Sequence, residues 1–220
     1  MTIARDGSAV TAFGGTGTLA LPTLTTSNGS GQIVVAIGAN TATAITSVTA
    51  TGLTFTARTS QLNTFGWGSL VEYVAPYTTN FSGVITINGA ATPTSAIAQA
   101  YSGVPTSSPF DGSPATSTNP PTTKTTTNAN DVVISINGTS ANDTAGTGWT
   151  LVLAQNGNTN KLLMQDQIVS VTGNYTGNTS GGFTNGNIVD AMIAAATVSA
   201  DQTLQAWSSL GRRVIMIGAG

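Results

Sequence analysis

General acid–base chemistry needs positioned titratable groups, and the best pair in this sequence is Glu72 with Asp166. Glu72 is the only glutamate, set within Leu70-Val71-Glu72-Tyr73-Val74, and Asp166 falls in the run that aligns with it in the second half. Carboxyl groups about 5–10 Å apart would suit glycoside hydrolysis. Duplication alone would also put two carboxylates on matching strands, and there is no His to act as a base. Glu72 therefore reads as a charge on an edge strand that blocks unwanted pairing. Serines are plentiful, but no G-x-S-x-G elbow occurs. A Ser–Lys pair would have to use Lys124 or Lys161, which lie beside turn-rich segments and are expected to face solvent. Gly14-Gly15-Thr16-Gly17 lacks both the strand-then-helix setting and the lysine of a phosphate loop. Asp111, Asp131 and Asp143 could offer oxygen ligands to Ca²⁺, but without the D-x-D-x-D-G spacing they read as turn caps. With no Cys, disulfides and thiolate zinc sites are excluded. The expectation is a protein that is not an enzyme, with no catalytic residue, metal or cofactor.

The remaining candidates are surfaces. Trp67 sits between glycines in Phe65-Gly66-Trp67-Gly68, and Trp207 lies in the C-terminal segment. Exposed Trp serves both protein interfaces and sugar sites, so these two are candidate anchors for either. Trp149 aligns with Leu53 and is expected in the core. Residues 199–220 add Arg212, Arg213 and the apolar run Val214, Ile215, Met216 and Ile217. So apolar a segment is expected to join its own sheet or dock on a neighbouring subunit.

Composition narrows the class. Charged residues are 6% of 220, against roughly 25% in ordinary soluble domains. Thr, Ser, Asn and Gly take their place, residues that suit strand faces, turns and protein-facing surfaces. Six scattered cations cannot build a phosphate-tracking patch, so nucleic acid is excluded as a partner. No run approaches the ~20 apolar residues of a membrane helix, and the N-terminus has no apolar signal region. The chain is expected to be made in a cytoplasm and to leave it, if at all, within a larger particle.

Short apolar runs between Gly/Asn/Thr/Ser clusters predict strands at 32–38, 53–58, 69–75, 83–88, 95–102, 131–137, 149–155, 162–171 and 188–198, with a first strand near 18–21. The chain also repeats itself. Thr25-Thr26-Ser27-Asn28 matches Thr125-Thr126-Thr127-Asn128, and Ile33-Val34-Val35 matches Val132-Val133-Ile134 one residue out of step. The repeated halves span about 18–104 and 123–198. The Pro-rich stretch 105–122 reads as one extended crossing between them. The expected fold is all-β: one jelly-roll-like sandwich of two antiparallel sheets, to which both halves contribute, with extended arms at 1–17 and 199–220.

The succession LTTSNGSGQIVVAIGAN, TSVTATGLTFTAR, LVEYVAP, SGVITINGAA, AIAQAYSGVPTSSPFDGS, TTTNANDVVISING and GTGWTLVLAQ resembles a family of jelly-roll β-sandwich domains of bacteriophage virion proteins and some bacterial surface proteins. The likeness covers about 18–198 and rests on the order of the segments. It implies a module that decorates or attaches, and it carries over no catalytic residue. A capsid decoration or cement protein is the expectation, with the major capsid protein, other virion proteins and copies of itself as partners. The alternative is a carbohydrate- or receptor-binding module of a tail fibre or surface protein, with a glycan as ligand.

Overall fold

The computed structural model describes residues 2–39, 45–63, 68–90, 94–119, 121–156, 161–181 and 184–196. Trp67, Trp207, Arg212, Arg213 and Val214, Ile215, Met216 and Ile217, expected to form an interface, lie outside the described residues, as does the arm from 199 onward.

The described residues form strands and no helix. The first half contributes β1 (Ala4–Gly14), β2 (Gly17–Ala20), β3 (Leu24–Thr25), β4 (Gly31–Ala39), β5 (Ser47–Ala50), β6 (Leu53–Thr54), β7 (Thr56–Asn63), β8 (Gly68–Tyr77), β9 (Ser82–Gly83), β10 (Thr86–Ala90) and β11 (Thr94–Ser102). The second contributes β12 (Ala115–Ser117), β13 (Thr122–Thr125), β14 (Asp131–Thr139), β15 (Thr150–Gln155), β16 (Lys161–Val169), β17 (Asn174–Gly177) and β18 (Thr184–Ile193). All-β architecture with several antiparallel sheets is as the sequence predicts.

Two five-stranded sheets carry the same order, β1-β11-β4-β8-β7 and β12-β18-β14-β16-β15. They stack on one another, with β1 over β15, β4 over β16, and β7 and β8 over β18. Corresponding strands therefore exchange places across an approximate two-fold axis between the sheets. A shared core fills this seam, with Val34, Leu70 and Ile97 from one sheet meeting Ile134, Met164 and Ile188 from the other. Both halves were expected to contribute to both sheets of one sandwich. Instead each half builds a complete five-stranded sheet of its own. Every residue of β4 and β14 is buried, as their near-continuous apolar runs require when both faces of a strand are covered.

Beyond the seam the halves differ. The first covers the far face of its sheet with β2-β10-β5-β6 and the β3–β9 pair. Ile33, Val35, Ile37, Ile85, Ile87 and Tyr77 fill the space between. In the second half the cover is the β13–β17 pair and a single bridge, Ala145 to Thr179. The apolar cluster there is small, formed among the described residues by Val133, Trp149, Val189 and Ala191. The rest is a hydrogen-bonded network: Asn187 donates to Ser135 Oγ at 3.1 Å and Asn137 Oδ1 at 2.8 Å, and Gln165 donates to Asn178 O at 2.5 Å.

The ladders correct the repeat alignment. Ile33 faces the outer core and Val132 the seam, so they cannot be equivalent, because a one-residue slip exchanges faces. Gly31–Ala39 corresponds to Asp131–Thr139 without the slip. Following the rungs outward pairs Glu72 with Met164, Val74 with Asp166, Gln99 with Asp190, Tyr101 with Met192 and Arg5 with Phe110. The edge strands even share a bulge, at Arg58 in β7 and Val152 in β15.

Three further expectations are corrected. Residues 4–14 are not part of a free arm; they pair with β11 as an edge strand. The stretch 105–122 is not an open crossing: Gln32 Nε2 donates to Pro105 O at 2.9 Å, Ile193 N to Pro109 O at 2.8 Å and Asp111 N to Ala191 O at 2.9 Å, and the stretch then supplies β12. Glu72 is not an edge charge, for β8 lies between β4 and β7 and the side chain is wholly buried.

Candidate functional site

Alternation along β8, β16 and β18 turns Glu72, Asp166 and Asp190 into the seam beside apolar neighbours two residues away. Arg5, near the start of β1, reaches across and grips Asp166 with both forks at 2.8 Å. Tyr101 donates its hydroxyl to the same carboxylate at 2.9 Å. On the other flank Arg58 donates to Asp190 at 2.7 and 3.2 Å and stacks on the Phe110 ring, 3.9 Å from its centre. The Asp166 hydrogen bond, opposed by burial, raises the Arg5 guanidinium. Burial pushes the Tyr101 hydroxyl well up, and Asp166 beside it adds to that. Burial, and then the Asp190 charge, raise Glu72 well above the carboxylate range despite Arg58, so the neutral acid is favoured. Neither Glu72 oxygen has a hydrogen-bond partner.

A second constellation is duplicated. Asp6 accepts from Ser27 N at 2.7 Å, Ser27 Oγ at 2.8 Å, Asn28 N at 3.1 Å and Tyr77 Oη at 2.7 Å. Asp111 accepts from Thr127 N and Thr127 Oγ1 at 2.5 Å and from Asn128 N at 3.1 Å. Each carboxylate thus clamps the turn that precedes its half's central strand, and each is followed by a glycine with positive φ, 79° at Gly7 and 69° at Gly112. Burial raises both acids, but these hydrogen bonds outweigh it, holding Asp6 below the usual range and Asp111 at about 2. Only in the second half does another acid adjoin the clamp. Asp131, at the position of Gly31, is pushed to about 7 by burial and then by Asp111. Lys124 stands nearby, its ammonium donating to Asp111 O and, at 2.7 Å, to Ser113 O.

The sequence-predicted residues distribute as follows. Asp111 caps a turn as expected, and Asp143 accepts from Thr179 Oγ1 at 2.7 Å. Trp149 is buried, its indole N–H donating to Thr176 O at 3.0 Å. Lys124 is buried rather than solvent-facing, and Lys161 is half-buried against Ser140 O. Glu72 and Asp166 share the seam, but Asp166 is held by Arg5 and Tyr101 and neither acid opens into a cleft. A cleft of 510 Å³ at one end of the seam is lined by Thr2, Ile3, Asn130, Ile168 and Ala194, and one of 320 Å³ by Gln32, Arg58, Val74 and Phe110. No carboxylate lines either. Sequence reading missed Asp6, Arg5 and Arg58. The tripeptide Asp-Gly-Ser, present at 6–8 and again at 111–113, was the signal for the clamps.

Eleven charged side chains fall among the described residues: eight are buried and Arg5, Arg58 and Lys161 are half-buried. None is exposed. The described exterior is made of Thr, Ser, Asn, Gly and scattered apolar residues such as Phe13, Val84 and Val171. Comparison with family models, with curated proteins and with solved structures finds no match for the chain.

Proposed function

We propose that this chain is a non-catalytic structural protein of a bacteriophage virion, a decoration or cement protein bound to the outer capsid surface. The observation that carries the reading is that no charged side chain is exposed among the described residues. A protein packed among many identical neighbours gains from surfaces free of Lys, Glu and Asp, which interface centres disfavour because each such group must be desolvated. Hydroxyl and amide groups can exchange water for a neighbour's hydrogen bonds at smaller cost. The described carboxylates support the same reading: they are buried, and none lines either cleft.

The finer fold reading belongs here too. Taking β6 and β7 as one strand that changes sheets, and joining β2 with β3 and β9 with β10, whose pairings run on from one another, the first half has eight strands. One of its sheets runs first, eighth, third, sixth, and the other second, seventh, fourth. That is the order two interlocked Greek keys produce, and it supports a jelly-roll-like unit, repeated in the second half with a reduced outer layer.

The test is to purify the source particle and ask whether the chain co-sediments in stoichiometric copy number. Recombinant chain should then rebind stripped particles with little loss between about 0.05 and 1 M salt, since no charge is exposed among the described residues and Arg212 and Arg213 are the only charged residues of 204–220. Deleting 204–220 should abolish rebinding while the far-ultraviolet circular dichroism stays β. Absence from the particle, or turnover of a substrate by the pure chain, would sink the reading.

A further inference from the structure

The approximate two-fold axis of the seam makes a prediction that its charges break. In an isologous contact each group would occur twice, once on either side. Here every charged residue in the seam has an uncharged counterpart: Arg5 against Phe110, Arg58 against Val152, Glu72 against Met164, Asp166 against Val74 and Asp190 against Gln99. The asymmetry is also sorted by sign. Both cations of the seam ion pairs, Arg5 and Arg58, belong to the first half, and both carboxylates, Asp166 and Asp190, belong to the second.

From this juxtaposition we infer that the seam is a matched pair of unlike surfaces, in which each half accepts the other and rejects a second copy of itself. Two first halves brought together about the same axis would set each Arg5 against Val74 and each Arg58 against Gln99, leaving four guanidinium groups in the interface with only the two Glu72 carboxyl groups beside them. Two second halves would bury four carboxylates with no arginine to pair them, Lys124 being engaged by Asp111 O and Ser113 O. The apolar frame is common to all three combinations, because the flanking residues (Val34 and Ile134, Ala36 and Ile136, Ile97 and Ile188) are apolar on both sides. Hydrophobic burial therefore cannot choose among them. The cost of an unpaired buried charge can. Glu72 does not supply the missing anions: two side chains cannot balance four guanidinium groups, and burial favours their neutral form.

The test uses the folded full chain with a protease site inserted between Ser107 and Ser108, in the exposed loop joining the halves. After cleavage, native mass spectrometry should find a one-to-one pair of halves. After dissociation in urea and return to buffer, like-with-like pairs should stay below about a tenth of the total. A second protein carries the reversed seam, Arg5→Asp and Arg58→Asp together with Asp166→Arg and Asp190→Arg. In the uncut chain the fourfold reversal should regain most of the thermal stability lost by Asp166→Arg with Asp190→Arg alone. Mixed with the cut parent, its halves should pair only among themselves. Abundant like-with-like pairs, halves that separate as folded monomers, free mixing of parent and reversed halves, or a fourfold variant no more stable than the twofold one would each overturn the inference.

Discussion

The two halves are the same frame with different fillings. Behind β4 the first half places Val35, Ile37, Tyr73 and Ala96, under a four-stranded cover. At the matching rungs behind β14 the second half places Ser135, Asn137, Gln165 and Asn187, all buried, under a two-stranded cover. Sheet order, register and even the edge bulge survive this exchange of hydrocarbon for amide and hydroxyl. The frame is fixed by the ladders and by the seam, where both halves remain apolar. The outer layers are where composition is free to drift, provided that polar groups arrive as a connected set.

The comparison can be broken hardest by moving one residue across it. Ile37→Asn puts the second half's residue into the first half's dry core with no partner. It should cost about 4 kcal/mol, from lost burial plus an unsatisfied amide, read from urea unfolding. Next come the clamp glycines. A Cβ on Gly7 would lie 1.9 Å from Thr25 O, whereas one on Gly112 meets only Lys124 Nζ at 3.7 Å. Gly7→Ala should cost about 3 kcal/mol and Gly112→Ala about 1. A smaller loss of about 1–3 kcal/mol is expected for Ser135→Val, which leaves Asn187 and Gln165 each short of an acceptor. If it stabilises the protein, the polar network is not a connected set.

The smallest effect separates the clamps by pH. Asp131 is raised in the folded chain, so the native state binds the proton more tightly than the unfolded chain does. Stability from this group is present at low pH and is lost as pH rises from about 4 towards 7. The melting temperature should therefore fall across that window, and Asp131→Asn should flatten the fall, by on the order of 1 kcal/mol. Depressed Asp6 and Asp111 act with the opposite sign below about pH 4, while Glu72 and Asp190, raised by burial, act with the same sign as Asp131, so the difference between the parent and Asp131→Asn from pH 5 to 8 is what reports Asp131.

The all-β class, the duplication and most long strands were legible, because alternation and turn residues are local signals. β1 was hidden by its bulge: the ladder skips from Asp6 to Val10, which breaks the two-residue period. The seam ion pairs join residues 161 and 132 positions apart, and no local pattern marks them. Glu72 was misread because a charge within a strand suggests an edge. The corrective clue lay in Gln32-Ile33-Val34-Val35-Ala36-Ile37, whose lack of alternation already required a sheet covered on both sides.

The stitched loop between β11 and β12 has a consequence for how copies share their parts. The seam reads which kind of half it meets, not which molecule supplied it, so only the tether at Pro105, Pro109 and Asp111 keeps each first half with its own second half. A short tether holds its partner at an effective concentration on the order of millimolar. Loosen it, and the same two faces could close reciprocal dimers or propagate into open chains, a polymer assembled without one new contact.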